Sequence, residues 1–219
     1  MAHNDSPLLI WGTGGHAVSV LETAVASGAP SITFVSAEPG VSTFERHPCI
    51  DPTSITNSLR DHLIVVAIGD NSTRQRVVQE LLDMDRGVRF ATLIHPSAIV
   101  SASAAIGAGS VVLQGAILGA KVQVDDHCIL NTGSCLDHES VLGNFASLAP
   151  RAVTGGRVNI GERSAIGIGT AIRHGITIGS DTVVGSASYV HNDLPGSVVA
   201  YGTPARVMRE RNGDDPYLS

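Results

Sequence analysis

The chain has 219 residues, which suits one large domain or two small ones, and its formal net charge of -6 argues against a nucleic-acid partner, because phosphate binding needs a basic face. It is 43% hydrophobic but only 4% aromatic and carries 24 glycines, so its core is built from thin layers of aliphatic side chains rather than from rings. Cys49, Cys128 and Cys135 form no CxxC pair, residues Met1–Asp5 hold no cationic segment, and the apolar run Pro7–Trp11 is too short to span a bilayer, so the expectation is a cytoplasmic chain with reduced thiols and no membrane partner.

In chain order, Leu8–Trp11 reads as a strand, Gly12–His16 as a glycine-rich turn and Ala17–Ser27 as a helix. A second strand follows over Ser31–Ser36 and a third over Leu63–Ile68. Asn71–Asp85 reads as a helix capped by Asn71 or Ser72. This is a β-α-β unit whose turn is placed to receive a phosphate at a helix N-terminus, although the turn is not a full GxGxxG and Ser36 stands where a ribose-binding acid is expected. A tight turn without a ligand fits the same residues.

Beyond residue 93 the pattern changes. From Ile94 to Val190, sixteen of the seventeen residues at six-residue steps are aliphatic, and the exception is Thr154. Four positions after most of them stands a small residue such as Ala98, Ser110, Ser140 or Ser164. A period of six means one short strand plus one turn, and three such units make a triangular coil of 18 residues. The aliphatic residue points inward and stacks on its equivalent one coil away. Glycines after it, such as Gly119 and Gly161, suit the turn. A β-sandwich would alternate with period two and is set aside.

Several separated motifs then occur in a specific order: Ile10–His16, Val66–Asn71 with Arg74, Ile94–Ala98, Leu130–Gly133 before Asp137-His138-Glu139, and Tyr201–Arg206. Over residues 8 to 210 this series resembles the NeuD/PglD-type sugar O- and N-acyltransferases. The resemblance implies a β-α-β (Rossmann-like) unit at 1–92 that binds a nucleotide-linked amino sugar, a left-handed parallel β-helix at 93–206 that binds acetyl-CoA, and a tail at 207–219. It also implies a homotrimer with active sites between subunits. By that resemblance His138 is the general base and Glu139 orients it, with Asp137 a second candidate for that task. Gly14, Gly15, His16, Ser36, Gly69 and Asn131 bind the sugar nucleotide, and Ser147, Gly156, Ile168 and Ser186 bind acetyl-CoA. Ser147 replaces a second histidine that the family often carries, and Ser36-Ala37 replaces an Asp pair, which leaves UDP, dTDP and GDP all open, and with them a free sugar or another amine as substrate.

Amine acylation needs a base that removes a proton as the new bond forms, and histidine titrates near working pH. One coil from His138 stand Gly156 and Ala120, small enough to leave room beside the imidazole; Glu139 has Arg157 and Lys121 as its equivalents. Arg206, Arg209 and Arg211 are candidates for CoA phosphates, and residues 212–219 read as a disordered end. No metal is expected. The alternatives are sugar O-acetylation, a longer acyl donor, a non-catalytic trimeric scaffold, and a γ-carbonic-anhydrase-like metal enzyme using His138 and His174, which lie 36 residues apart but lack the third histidine at Gly179.

Overall fold

The computed structural model describes residues 6–56 and 58–217; the start of the predicted 1–92 unit and the last two residues of the tail lie outside them. The first unit holds strands β1 (Leu8–Trp11), β2 (Ile32–Val35), β3 (Thr43–Phe44), β4 (His47–Ile50), β5 (Leu63–Val66) and β6 (Arg89–Phe90). They form one sheet in the order β3-β4-β2-β1-β5-β6, parallel except for the β3–β4 pair. The central strands are unbroken apolar runs because both faces are covered. Leu8, Ile10 and Val65 meet Ala17, Val20, Leu21 and Ala24 of α1 (Gly15–Ala26). Leu9, Ile64 and Val66 meet Val78 and Leu81 of α2 (Asn71–Met84).

Two helix starts differ from the sequence reading. α1 begins at Gly15 rather than Ala17, so Gly15 and His16 already belong to its first turn. α2 is capped by Asp70, whose Oδ1 accepts from Thr73 N at 2.9 Å. Asn71 and Ser72 are inside the helix and spend their side chains elsewhere: Asn71 Nδ2 donates to Arg163 O and Ser164 O at 3.0 and 3.2 Å, and Ser72 Oγ donates to Gly213 O at 2.7 Å.

From Leu93 to Val190 the chain makes seventeen two-residue strands, and the second residue of each is the hexad residue expected to point inward. Parallel pairing joins residues one coil apart, such as Val111 with Leu93 and Ile129, and yields three sheets wrapped round one aliphatic column. The third residue after each inward residue, from Gly109 to Ala187, has φ between 55° and 72° and turns the corner. The glycines that directly follow the inward residue do not carry that conformation. They serve a close approach between coils instead: a Cβ on Gly119 would lie 2.6 Å from His138 N, and one on Gly161 2.5 Å from Ser180 N. From Ser110 to Ser188 most of the small residues are buried, and several of their hydroxyls tie adjacent corners together, as where Ser140 Oγ accepts from Val158 N at 3.0 Å.

Thr154, the one inward residue that is not aliphatic, interrupts a ladder. Only Cys135 and Val153 pair between its strand and the one before, and Asp137 N donates to Thr154 Oγ1 at 2.9 Å. The helix ends in an antiparallel hairpin of Val198–Gly202 and Ala205–Glu210, which runs past residue 206.

The two units are fastened by Arg74, which is fully buried. Its Nε donates to His127 O (2.9 Å), Nη1 to Ile68 O and Gly69 O (2.8 and 3.1 Å), and Nη2 to Asn71 Oδ1 and Phe145 O (2.8 and 2.7 Å). Beside it His127 stacks on Phe145 with centroids 5.0 Å apart and meets Phe90 edge-on at 4.5 Å.

Residues 212–217, expected to be disordered, are instead folded back against α2. Arg211 anchors them: it is buried and donates to Asp181 O at 2.8 Å and Gly213 O at 3.1 Å, so it is not free to meet a CoA phosphate.

Candidate functional site

The predicted site residues fall in two places. The first is a cleft of about 320 Å³ between the N-terminal unit and the outer face of the β-helix sheet that contains Val111 and Ile129. His16 and Gly69 line it from one side, and Asn131, Ser147, Ile168 and Ser186 from the other. Gly14 and Gly15 open the adjoining end of α1: Gly14 is its N-cap, no side chain caps that terminus, and open space faces both glycines. Ser36 lies at the end of β2, where its hydroxyl bonds Thr13 Oγ1 at 3.1 Å and accepts from Glu38 N at 3.2 Å, bracing the glycine turn.

His16 is partly buried, and its Nε2, itself shielded from solvent, has no hydrogen-bond partner among the described residues. Burial, with Arg74 nearby as a smaller cause, pulls its pKa down to about 4. The imidazole therefore stays neutral and offers an unspent ring nitrogen to whatever enters the cleft.

The second place is a corner of the β-helix between the sheet of Cys135 and the sheet of Val141. His138 Nδ1 lies 3.5 Å from Glu139 Oε2, and Arg157 Nη1 lies 3.9 Å from the same oxygen. Lys121, expected from the other side, is not part of this ion-pair set. Both His138 and Glu139 are about half exposed (47% and 45%), so charge pairing here orients more than it stabilises. Glu139 stands at the left-handed corner, with φ 57°, which turns its carboxylate back towards the ring. Asp137 does not reach the ring; its Oδ1 accepts from His138 N at 2.7 Å and fixes the backbone. The Nε2 edge of the imidazole lies directly over Gly156, in space that a Cβ there would fill. Gly156 thus belongs with His138 and not with the cleft.

Residues 7–81 match the family described as PglD N-terminal domain. The structure of PerB from Caulobacter crescentus in complex with CoA and GDP-perosamine superimposes with a TM-score of 0.86 at 36% identity, covering 93% of this chain and 97% of that one. The acetyltransferase domain of PglB from Neisseria gonorrhoeae in complex with acetyl coenzyme A gives 0.88 at 34%, covering 94% and 100%. This chain belongs to the NeuD/PglD family. The β-helix is accordingly left-handed. A curated relative, UDP-N-acetylbacillosamine N-acetyltransferase of Bacillus subtilis (strain 168), is 45% identical over 62 residues, a stretch that spans 28% of this chain and about a quarter (27%) of the relative's length.

Within the NeuD/PglD frame, the roles of three residues here escaped the sequence reading. Tyr217 lines the cleft, Arg74 fastens the Gly69 turn beside it, and Thr154 supports the Asp137 turn. Thr154 left a signal as the single break in the hexad pattern and Arg74 as part of the Val66–Asn71 motif; Tyr217 left none. Among the described residues no group of three or more His, Cys, Asp or Glu side chains is placed to hold a metal, and no helix is long and apolar enough to cross a membrane.

Proposed function

We propose that this protein transfers the acetyl group of acetyl-CoA to an amino group of a nucleotide-linked sugar. One observation carries the reading: the His138 ring has Glu139 at Nδ1 and presents Nε2 over the gap left by Gly156. With Nδ1–H directed at the carboxylate, Nε2 is the basic nitrogen. The amine attacks the thioester carbonyl while Nε2 takes its proton. The tetrahedral intermediate then collapses, the C–S bond breaks, and the imidazolium returns the proton to the leaving CoA thiolate.

The 1–92 unit would bind the sugar nucleotide through Gly14, Gly15, His16 and Gly69, with Ser36 bracing the turn. The 93–206 unit would bind acetyl-CoA along Ile168, Ser186 and Ser147, with Ser147 at the acetyl end where the donor meets the acceptor and Asn131 beside it, and residues 207–219 form the tail. His138 and the cleft lie on different corners of one protomer, so a complete site needs a second copy. The outer face of the sheet between those corners supports this. Ile99, Ile117, Val153 and Tyr189 stand on it one or more coils apart, each more than a third exposed (64, 39, 40 and 39%). Three such faces meeting about a cyclic axis would bring the His138 corner of one copy to the Asn131 corner of the next, and the ring closes as a homotrimer.

The test is CoA-thiol release from acetyl-CoA against UDP-, dTDP- and GDP-linked amino sugars. Turnover with one nucleotide class, reduced by roughly two to four orders of magnitude in His138→Ala, is expected. Full activity in His138→Ala removes the general-base role; silence across the panel without CoA binding removes the reading.

A further inference from the structure

The segment after the last strand plays no part in the proposal above, yet its Tyr217 lines the cleft. Arg211 gives Nη2 to Asp215 O as well as to Gly213 O, and its guanidinium carbon lies 5.9 Å from the centre of the Tyr217 ring. Asn212 N donates to Asp215 Oδ2 at 3.1 Å, Arg209 pairs with Asp215 at 3.5 Å, and Ser72 of α2 holds Gly213. These contacts turn the chain back across the start of α2 and lay Tyr217 between the two units. Its hydroxyl accepts from Asn71 N at 3.2 Å and donates towards Gly69 O at 3.3 Å, and Ser147 lines the same cleft. Neither bond is short, and one acceptor site of the phenol is left for a further partner.

We infer that Tyr217 is a positioning residue for the acceptor, its hydroxyl and that of Ser147 together engaging a hydroxyl group of the sugar ring. This rests on the acyltransferase reading. The end of the cleft beside Tyr217 presents hydroxyl and backbone groups but, among the described residues, no free cation: the Arg74 donors are occupied by carbonyl and amide oxygens. Asn71 N at the start of α2 is covered by Tyr217, and Thr73 N by Asp70. A phosphate finds little there, whereas the open start of α1 at Gly14 and Gly15 suits one. A sugar hydroxyl both donates and accepts, and it matches a pair of neutral hydroxyls beside the unpartnered Nε2 of His16. Burial raises the phenol pKa, so Tyr217 remains a donor through the neutral range.

Tyr217→Phe keeps the ring and removes only the hydroxyl. Its acceptor KM should rise roughly five- to twentyfold while the acetyl-CoA KM holds within about twofold. Combined with Ser147→Ala, the loss should be smaller than the product of the two single losses. An unchanged acceptor KM, or both KM values rising alongside a lower melting midpoint, overturns the inference. Wild-type turnover in the same assay judges the acyltransferase reading separately. If no acceptor is turned over, amide exchange judges the strap: slow exchange over 212–217 that becomes fast in Arg211→Ala sustains it, and fast exchange in the wild type removes Tyr217 from the cleft and overturns it.

Discussion

At the scale of single residues, the proposed chemistry depends on a missing side chain. Gly156 does not adopt the left-handed conformation that favours glycine, so alanine costs its backbone little. A methyl group there would nevertheless fall on the Nε2 and Cε1 edge of His138 and push the ring aside. Gly156→Ala should therefore lower kcat by roughly ten- to a hundredfold, because small misplacements of a reacting group are costly. The melting midpoint should stay within about 2 °C of wild type, since the imidazole is half exposed and contributes little to stability. Equal losses in midpoint and kcat would mean that the corner had unfolded instead.

Two other histidines couple stability to pH. Burial brings both His16 and His127 to a pKa of about 4; Arg74 adds to this at His16, while at His127 Asp126 opposes it and Arg74 adds to it. Their unfolded value is near 6.5, so between 6.5 and 4 the unfolded chain binds more protons than the folded one. The stability they protect is complete above pH 6.5 and is lost as pH falls towards 4, with a slope of up to about 1.4 kcal/mol per pH unit from each. Urea midpoints measured between pH 7 and 5 should fall on acidification, and His16→Asn should flatten the slope. A pH-independent midpoint would show that both rings protonate freely in the fold.

At the scale of elements, the hexad is robust because each inward residue supports the next, and its one exception borders the proposed base. Thr154 accepts from Asp137 N, the residue whose carboxylate fixes His138 N. Thr154→Val keeps the shape and deletes the acceptor, so the buried side of the turn is left with an unpaired N–H. A loss of about 1–3 kcal/mol is expected in urea unfolding, together with a several-fold drop in kcat, and Thr154→Ser should restore both. Here the reach of the sequence is visible. A six-residue period can arise from one geometry, so the inward column from Ile94 to Val190 was legible, as was the β-α-β order before it. The cap of α2 was not, because Asp70, Asn71 and Ser72 are all good caps and tertiary contacts to Arg163 and Gly213 drew two of them away. The corner glycines were identified by position but for the wrong physical reason, since spacing does not reveal how closely two coils approach. The tail was misjudged because Arg211, Gly213 and Tyr217 carry no periodic pattern; their order comes from contacts with distant residues, Asp181 and Ser72 among them.

At the scale of the molecule, His138 and the cleft lie on different corners of one protomer, and the proposed function makes assembly part of the chemistry. The outer face carrying Ile117 and Val153 is where charge would be least tolerated by a partner and best tolerated by an isolated chain. Ile117→Glu should yield folded monomers by light scattering with activity lost at both substrate concentrations tested, low and high, because no amount of substrate supplies the neighbour's imidazole. Complementation gives the sharper discrimination. His138→Ala protomers retain an intact cleft, and Ser147→Arg protomers, with the cleft blocked, retain an intact base. Each is expected to be inactive alone. Unfolded together and refolded as mixed trimers, about a quarter of the sites would join an intact cleft to an intact base from the neighbouring copy. Recovery of roughly that share of wild-type activity would place the two half-sites on different subunits. No recovery from verified mixed trimers would place them on the same one, and would require His138 to reach the cleft of its own chain.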